Sequence, residues 1–88
     1  MDLVWDSSKS KKNEARHGVR FCDVEAVFFD PCAVTMEDLS AVGEQRFVTL
    51  GRDGFARTLV VVYTYRHEAI RIISARRASS GEIENYEE

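Results

Sequence analysis

The chain has 88 residues, 44% of them hydrophobic and 31% charged, which suits one globular domain with a single modest core and excludes a disordered chain. Its longest apolar run, Leu59 to Tyr63, is far too short to cross a bilayer, and no apolar signal segment opens the chain, so a cytoplasmic protein with no membrane partner is expected. The net charge of −3 conceals three blocks: residues 1–43 carry five basic against eight acidic groups, residues 44–77 seven arginines against three acidic groups, and residues 78–88 four glutamates alone. A basic segment between acidic ones points to a local cationic site, not to a protein that coats nucleic acid indiscriminately, although solvated strand faces paired with acidic neighbours would leave the same pattern. Cys22 and Cys32 lie ten residues apart without a CxxC pair or a partnering His. They are expected to be reduced thiols, with no metal site and no cofactor.

In chain order, Leu3-Val4-Trp5 reads as a short strand. Asp6, Ser7 or Ser8 can then cap a helix from Ser8 to His17, because their oxygens accept the free N–H groups of a first turn, and Gly18 is a typical stop. Ala15 is the only apolar residue of that helix, so it has no stripe to bury and is marginal by itself. Lys9, Asn13 and Arg16 or His17 share one of its faces. Phe21, Val24, Val27 and Phe28 recur at i, i+3, i+6 and i+7, which predicts an amphipathic helix over Phe21–Phe29. Pro31 ends it, since proline excludes the helical conformation from the residue before it.

Ala33 to Met36 follows, then a polar loop over Glu37–Gly43, a strand over Arg46–Leu50 and a turn at Asp53-Gly54. Leu59–Tyr65 is β-branched and aromatic with nearly continuous apolarity. That is the pattern of a central strand covered on both faces, and it assigns Tyr63 and Tyr65 to the core. Arg66-His67-Glu68 connects tightly into Ala69–Ala75, which predicts a β-hairpin. Ser79 and Glu82 match a capping box that starts a short final helix presenting Ile83 and Tyr86 to the body. The predicted fold is α+β: an antiparallel sheet of about four strands, two N-terminal helices and a short C-terminal helix.

The segment Ala69 to Ala78 is the most informative. It places Arg71 near the start of an apolar strand and Arg76 and Arg77 at its exit. A strand buried for its own sake would not carry these, and guanidinium is the group that holds phosphate bidentately at any working pH. The odd separation of Arg71 and Arg76 puts them on opposite faces of a regular strand. They converge only if Arg76 lies beyond the strand end or a bulge re-aims it.

Read together, these pieces resemble the BrnT toxin family. Trp5-Asp6-x-x-Lys9-x-x-x-Asn13-x-x-Arg16-His17-Gly18-Val19-x-Phe21 opens the chain as that family opens, and Phe28-Phe29-Asp30-Pro31 follows. Glu44-x-Arg46-Phe47-x-x-x-Gly51, Arg71-Ile72-Ile73-Ser74-Ala75-Arg76-Arg77-Ala78 and Glu84-x-Tyr86 continue in the same order. The resemblance implies a RelE-like fold and a ribonuclease toxin of a bacterial type II toxin–antitoxin pair, arresting translation. It also implies a BrnA-like antitoxin with a ribbon-helix-helix domain, through which alone the toxin would reach operator DNA. The chain departs from the family in carrying Arg16 where Lys is usual, and in having no His in the 37–43 loop. The ribonuclease toxin is the favoured reading. These departures and the acidic pI of about 5.4 keep an alternative beside it, a non-catalytic module that binds antitoxin or nucleic acid in operon autoregulation.

RNA cleavage by internal attack needs a base for the 2′-hydroxyl, charge stabilisation at phosphorus and an acid for the 5′-oxygen. For a metal-independent nuclease the expected catalytic cations are Arg46, Arg71, Arg76 and Lys9, with Trp5, Asn13, Arg16, His17 and Arg77 contacting RNA. Each has a structural alternative. His17 stands at a helix C-terminus, where the macrodipole favours positive charge, and suits a phosphate contact or acid, or simply a helix cap. Glu44 can serve as base or pair with Arg46, and the cation beside it weakens the first role. Trp5 can stack on a base or belong to the core.

Overall fold

The structure, a computed structural model, describes residues 2–87. Its strands are β1 (Asp2–Val4), β2 (Val34–Asp38), β3 (Arg46–Arg52), β4 (Thr58–Arg66) and β5 (Ala69–Arg77), and its helices are α1 (Ser7–His17) and α2 (Ser80–Glu87). One five-stranded sheet runs β1-β5-β4-β3-β2, with β4 in the middle as its apolarity requires. The sheet is mixed rather than antiparallel: β1 pairs in parallel with β5, Leu3 opposite Ile70. The expected four strands become five because Val34–Asp38 pairs with β3, drawing Glu37 and Asp38 out of the expected loop. No helix is long and apolar enough to cross a membrane among the described residues.

Phe21–Phe29 is not an α-helix. It forms two 3₁₀ turns, Phe21–Asp23 and Glu25–Phe29, with Val24 between them. The physical reason lies in the spacing. Phe21, Val24 and Val27 recur every three residues, the repeat at which 3₁₀ side chains eclipse, and all three are fully buried. With Val19 they cover the inner face of the sheet over Leu59, Val61, Tyr63, Ile70, Ile72 and Ala75. Tyr65 shares that face but is 57% exposed, correcting its assignment to the core. It sits near the β4–β5 hairpin and packs edge-on against Phe47, 5.3 Å between ring centroids.

Gly51 allows the second turn to approach β3 closely. A Cβ there would meet Val27 Cγ1 at 2.9 Å and the Val27 carbonyl at 3.2 Å. Gly51→Ala should therefore lower stability by about 1–3 kcal/mol through overpacking, read as a fall in denaturation midpoint at unchanged slope. An unchanged midpoint would mean the turn shifts freely.

Helix α1 has the expected caps. Asp6 Oδ1 accepts from the backbone N–H of Ser8 at 2.8 Å and Lys9 at 3.2 Å, and Gly18 closes it in the left-handed conformation at φ 71°. What ties this polar helix to the body is Asn13. Its amide donates to the Val19 carbonyl at 2.9 Å and the Ala75 carbonyl at 2.8 Å, and its oxygen accepts from Ala75 N–H at 3.1 Å. Asn13 thus continues the ladder along the β5 edge that β1, ending opposite Arg71, leaves open.

Candidate functional site

The register of β4 and β5 slips at one point: Val62 lies opposite Ser74 and Tyr63 opposite Ile72, so Ile73 is an extra, bulged residue. Burial follows the slip, with Ile72 and Ala75 in the core and Ile73 and Ser74 half-buried between them. The bulge resolves the odd separation of the two arginines, since Arg71, Ser74 and Arg76 all fall on the outer face. Arg46 joins them. Arg71 is opposite Thr64, and Arg46, one step before the Phe47–Tyr63 pair, lies in the same cross-strand row, two strand spacings or about 10 Å from Arg71.

Beside this face α1 and β5 enclose a cleft of about 630 Å³, lined by Lys9, Lys12, Arg16, His17, Ile73 and Ser74 among others. Lys9, Lys12 and Arg16 are at i, i+3 and i+7, one face of the helix. Among the described residues none of these three cations, nor Arg71, makes an ion pair, whereas Arg20, Arg46, Arg52, Arg57, Arg66 and Arg76 all do. Four of the six cations without an ion pair among the described residues thus stand at the cleft or on the strand beside it. The other two are Lys11, beside Trp5, and Arg77, near Arg57. Lys12 and Ser74 are additions to the residues expected from sequence. Lys12 had a signal, its i+3 spacing from Lys9, but Ser74 had none before the bulge was known.

The remaining candidates are placed differently. Arg46 pairs with Glu44 at 3.6 Å, and Glu44 also reaches Arg66 at 3.9 Å, so Glu44 has the structural pairing that was one of its two readings. Asn13 spends both amide N–H groups on backbone carbonyls and is 7% exposed, so it fastens α1 to β5 from within the lining of the cleft. Trp5 is 38% exposed on the opposite side of α1, beside Ser10, Glu14 and Cys22. Arg77, opposite core residue Leu59, emerges on the inner-face side near Arg20 and Arg57. His67 sits in the β4–β5 turn at φ 57°, which leaves His17 as the imidazole of the cleft.

Arg76 is held by a neighbour. Both of its terminal nitrogens donate to Glu82, each at 2.8 Å, and Glu82 also accepts from Ser79 N–H at 2.8 Å in the expected capping box. The Arg76 guanidinium, aided by the Ser79 N–H, pulls the Glu82 carboxyl down to about 2. Helix α2 has no buried residue and is fastened by this pair, by Tyr86 donating to Asp30, and by Arg52, which lies over the Tyr86 ring and reaches Glu87 at 3.9 Å. The bond to Asp30 raises the Tyr86 hydroxyl to about 12.

A carboxyl with a depressed folded pKa contributes stability above its ordinary value of 4.5 that is lost as pH falls toward about 2. Amide protection across α2 should therefore drop over that window in hydrogen exchange, and Glu82→Gln should show the drop already at pH 7. Equal protection in the variant at pH 7 would show that the Arg76 pair does not hold the helix.

No curated protein sequence matches the chain. Its fold is similar to the crystal structure of the Brucella abortus ribonuclease toxin BrnT, with a TM-score of 0.72 and 27% identity over 91% of this chain and 99% of that one. Residues 5–82 match the family model described as the ribonuclease toxin BrnT of type II toxin–antitoxin systems. That span holds the cleft, the bulged strand and every candidate cation named above. The chain belongs to the BrnT family of ribonuclease toxins of type II toxin–antitoxin systems.

Proposed function

We propose that the chain cleaves RNA in the cleft between α1 and β5, without a metal ion, and thereby arrests translation in the cytoplasm. The observation that carries this is a cluster of charge: of the six cations without an ion pair among the described residues, Lys9, Lys12 and Arg16 line one cleft and Arg71 stands on the strand beside it. Lys9, Lys12 and Arg16 would hold the RNA backbone along α1, and Arg71 would stabilise charge developing on the scissile phosphate. His17 would donate a proton to the departing 5′-oxygen as the 2′-oxygen, its own proton passing to solvent water, bonds to phosphorus and the P–O5′ bond breaks, leaving a 2′,3′-cyclic phosphate. Arg46, already weakly paired at the surface, extends the cationic row toward the next phosphate.

The partner proposed is a BrnA-like antitoxin whose ribbon-helix-helix domain supplies all contact with operator DNA. A segment of it carrying acidic residues, laid over Lys9, Arg16 and Arg71, would block the cleft while matching its charge. The test is to incubate the purified chain with a defined RNA in excess EDTA. Cleavage that persists there and disappears on adding the antitoxin is expected. Intact RNA, with antitoxin binding retained, would leave only the non-catalytic role in autoregulation.

A further inference from the structure

We propose that Ile73 is the platform for one unpaired nucleobase of the RNA, next to the phosphate held by the α1 cations and Arg71; this rests on the ribonuclease reading of the cleft. The bulge places Ile73 and Ser74, consecutive residues, side by side on the same side of β5, between the buried Ile72 and Ala75. Both line the cleft together with Lys9, Lys12 and Arg16. An isoleucine on the outer face of a sheet ordinarily packs beneath a helix. Here α2 is fastened across β3 and the Arg76 end of β5, and the element standing over Ile73 is the polar helix α1. A branched apolar side chain is thus left half-covered amid unpaired cations.

One ligand chemistry satisfies both parts of that surface: a polyanion that also offers a flat apolar face. A nucleotide does so, its phosphate on the lysines and arginines and its base on Ile73. The space of about 630 Å³ is ample for it. Only an unstacked base has a free face, so the substrate is single-stranded at this position, since in a duplex both faces of the base are covered by its neighbours. Ser74, beside Ile73 on the same side, is placed to hydrogen-bond the edge or ribose of that nucleotide.

The test pairs changes in protein and RNA. A short single-stranded oligonucleotide is prepared intact, and in versions in which each nucleotide flanking the cleaved bond in turn carries no base. For the parent protein, removing the contacting base should lower kcat/KM by about tenfold. For Ile73→Ala the same removal should cost less than about twofold, because the partner of the base is already gone. Ile73→Val, which keeps the β-branch, should fall between them, and Ile73→Phe should lower KM for the intact RNA with no gain on the base-free one. These two variants carry the test if the alanine variant folds poorly.

An equal penalty for base removal in the parent and all variants would overturn the platform. If Arg71→Ala abolishes cleavage while that penalty stays equal, only the platform falls. If no preparation cuts any oligonucleotide, the ribonuclease reading falls and the platform with it.

Discussion

Arg71→Ala should lower kcat/KM for RNA cleavage by about 10²–10³-fold, the loss typical of removing one preorganised group that stabilises transition-state charge. The side chain is half-buried on β5 and makes no ion pair among the described residues, so its charge is uncompensated when RNA arrives. It stands on the same face of β5 as Ser74, which lines the cleft, and shares a cross-strand row with Arg46. Removing it should cost little stability, because β5 is held by Ile70, Ile72 and Ala75 on its other face. Arg76→Ala offers the contrast. Its terminal nitrogens are committed to Glu82, so that variant should loosen α2 and reduce cleavage less. The comparison is made with steady-state cleavage of one defined RNA beside thermal melts of both variants. Cleavage by Arg71→Ala at the parent rate would remove Arg71 from the site, and a deeper loss for Arg76→Ala would mean that RNA displaces Glu82.

The largest effect on stability is expected at Asn13. Alanine there leaves the Val19 carbonyl and both backbone groups of Ala75 without their partner, in a region where Val19 and Ala75 are themselves fully buried. Each unsatisfied buried group costs about 1–3 kcal/mol, and rehydration at the helix edge recovers some of it, so about 3 kcal/mol in all is expected. In a domain of this size that lowers Tm by on the order of 15 °C. Asn13→Asp should be no better, since it sets a carboxylate oxygen against two carbonyls. Thermal unfolding followed by circular dichroism checks both, and a shift of only a degree or two would show that α1 is held by something other than this bridge. Activity should fall with stability, because Asn13 holds the helix that carries Lys9, Lys12 and Arg16 in register with Ile73 and Ser74.

The expectations read from sequence divide by the range of the interactions behind them. Asp6, Gly18 and the Ser79–Glu82 box act within a few residues of themselves, and each cap appears where its residue type places it. The apolarity of Leu59–Tyr65 called for a strand covered on both faces, and β4 is the central strand, although Tyr65 outruns its cover. The every-third-residue spacing of Phe21, Val24 and Val27 is legible in the sequence, but the spacing alone does not separate an α-helix from 3₁₀ turns. Three residues per turn suits the 3₁₀ turns observed, and the Phe28 match at i+7 made an α-helix look equally good.

The site was half legible. The sequence by itself determined that cations would stand on α1 and on the last strand, and its ordered motifs were enough to point to the family. Only the tertiary structure decided which of those cations are free. The Glu44–Arg46 pair is one the sequence itself offers, but Glu82 gripping Arg76 and Asn13 reaching Ala75 across 62 positions of chain are not. The latter two depend on what folding brings alongside, which no local pattern encodes. The bulge at Ile73 belongs with them, because an extra residue in one strand exists only relative to its partner. That single slip sets Arg71, Ser74 and Arg76 on one face, where strict alternation would have divided the two arginines between opposite sides of the sheet.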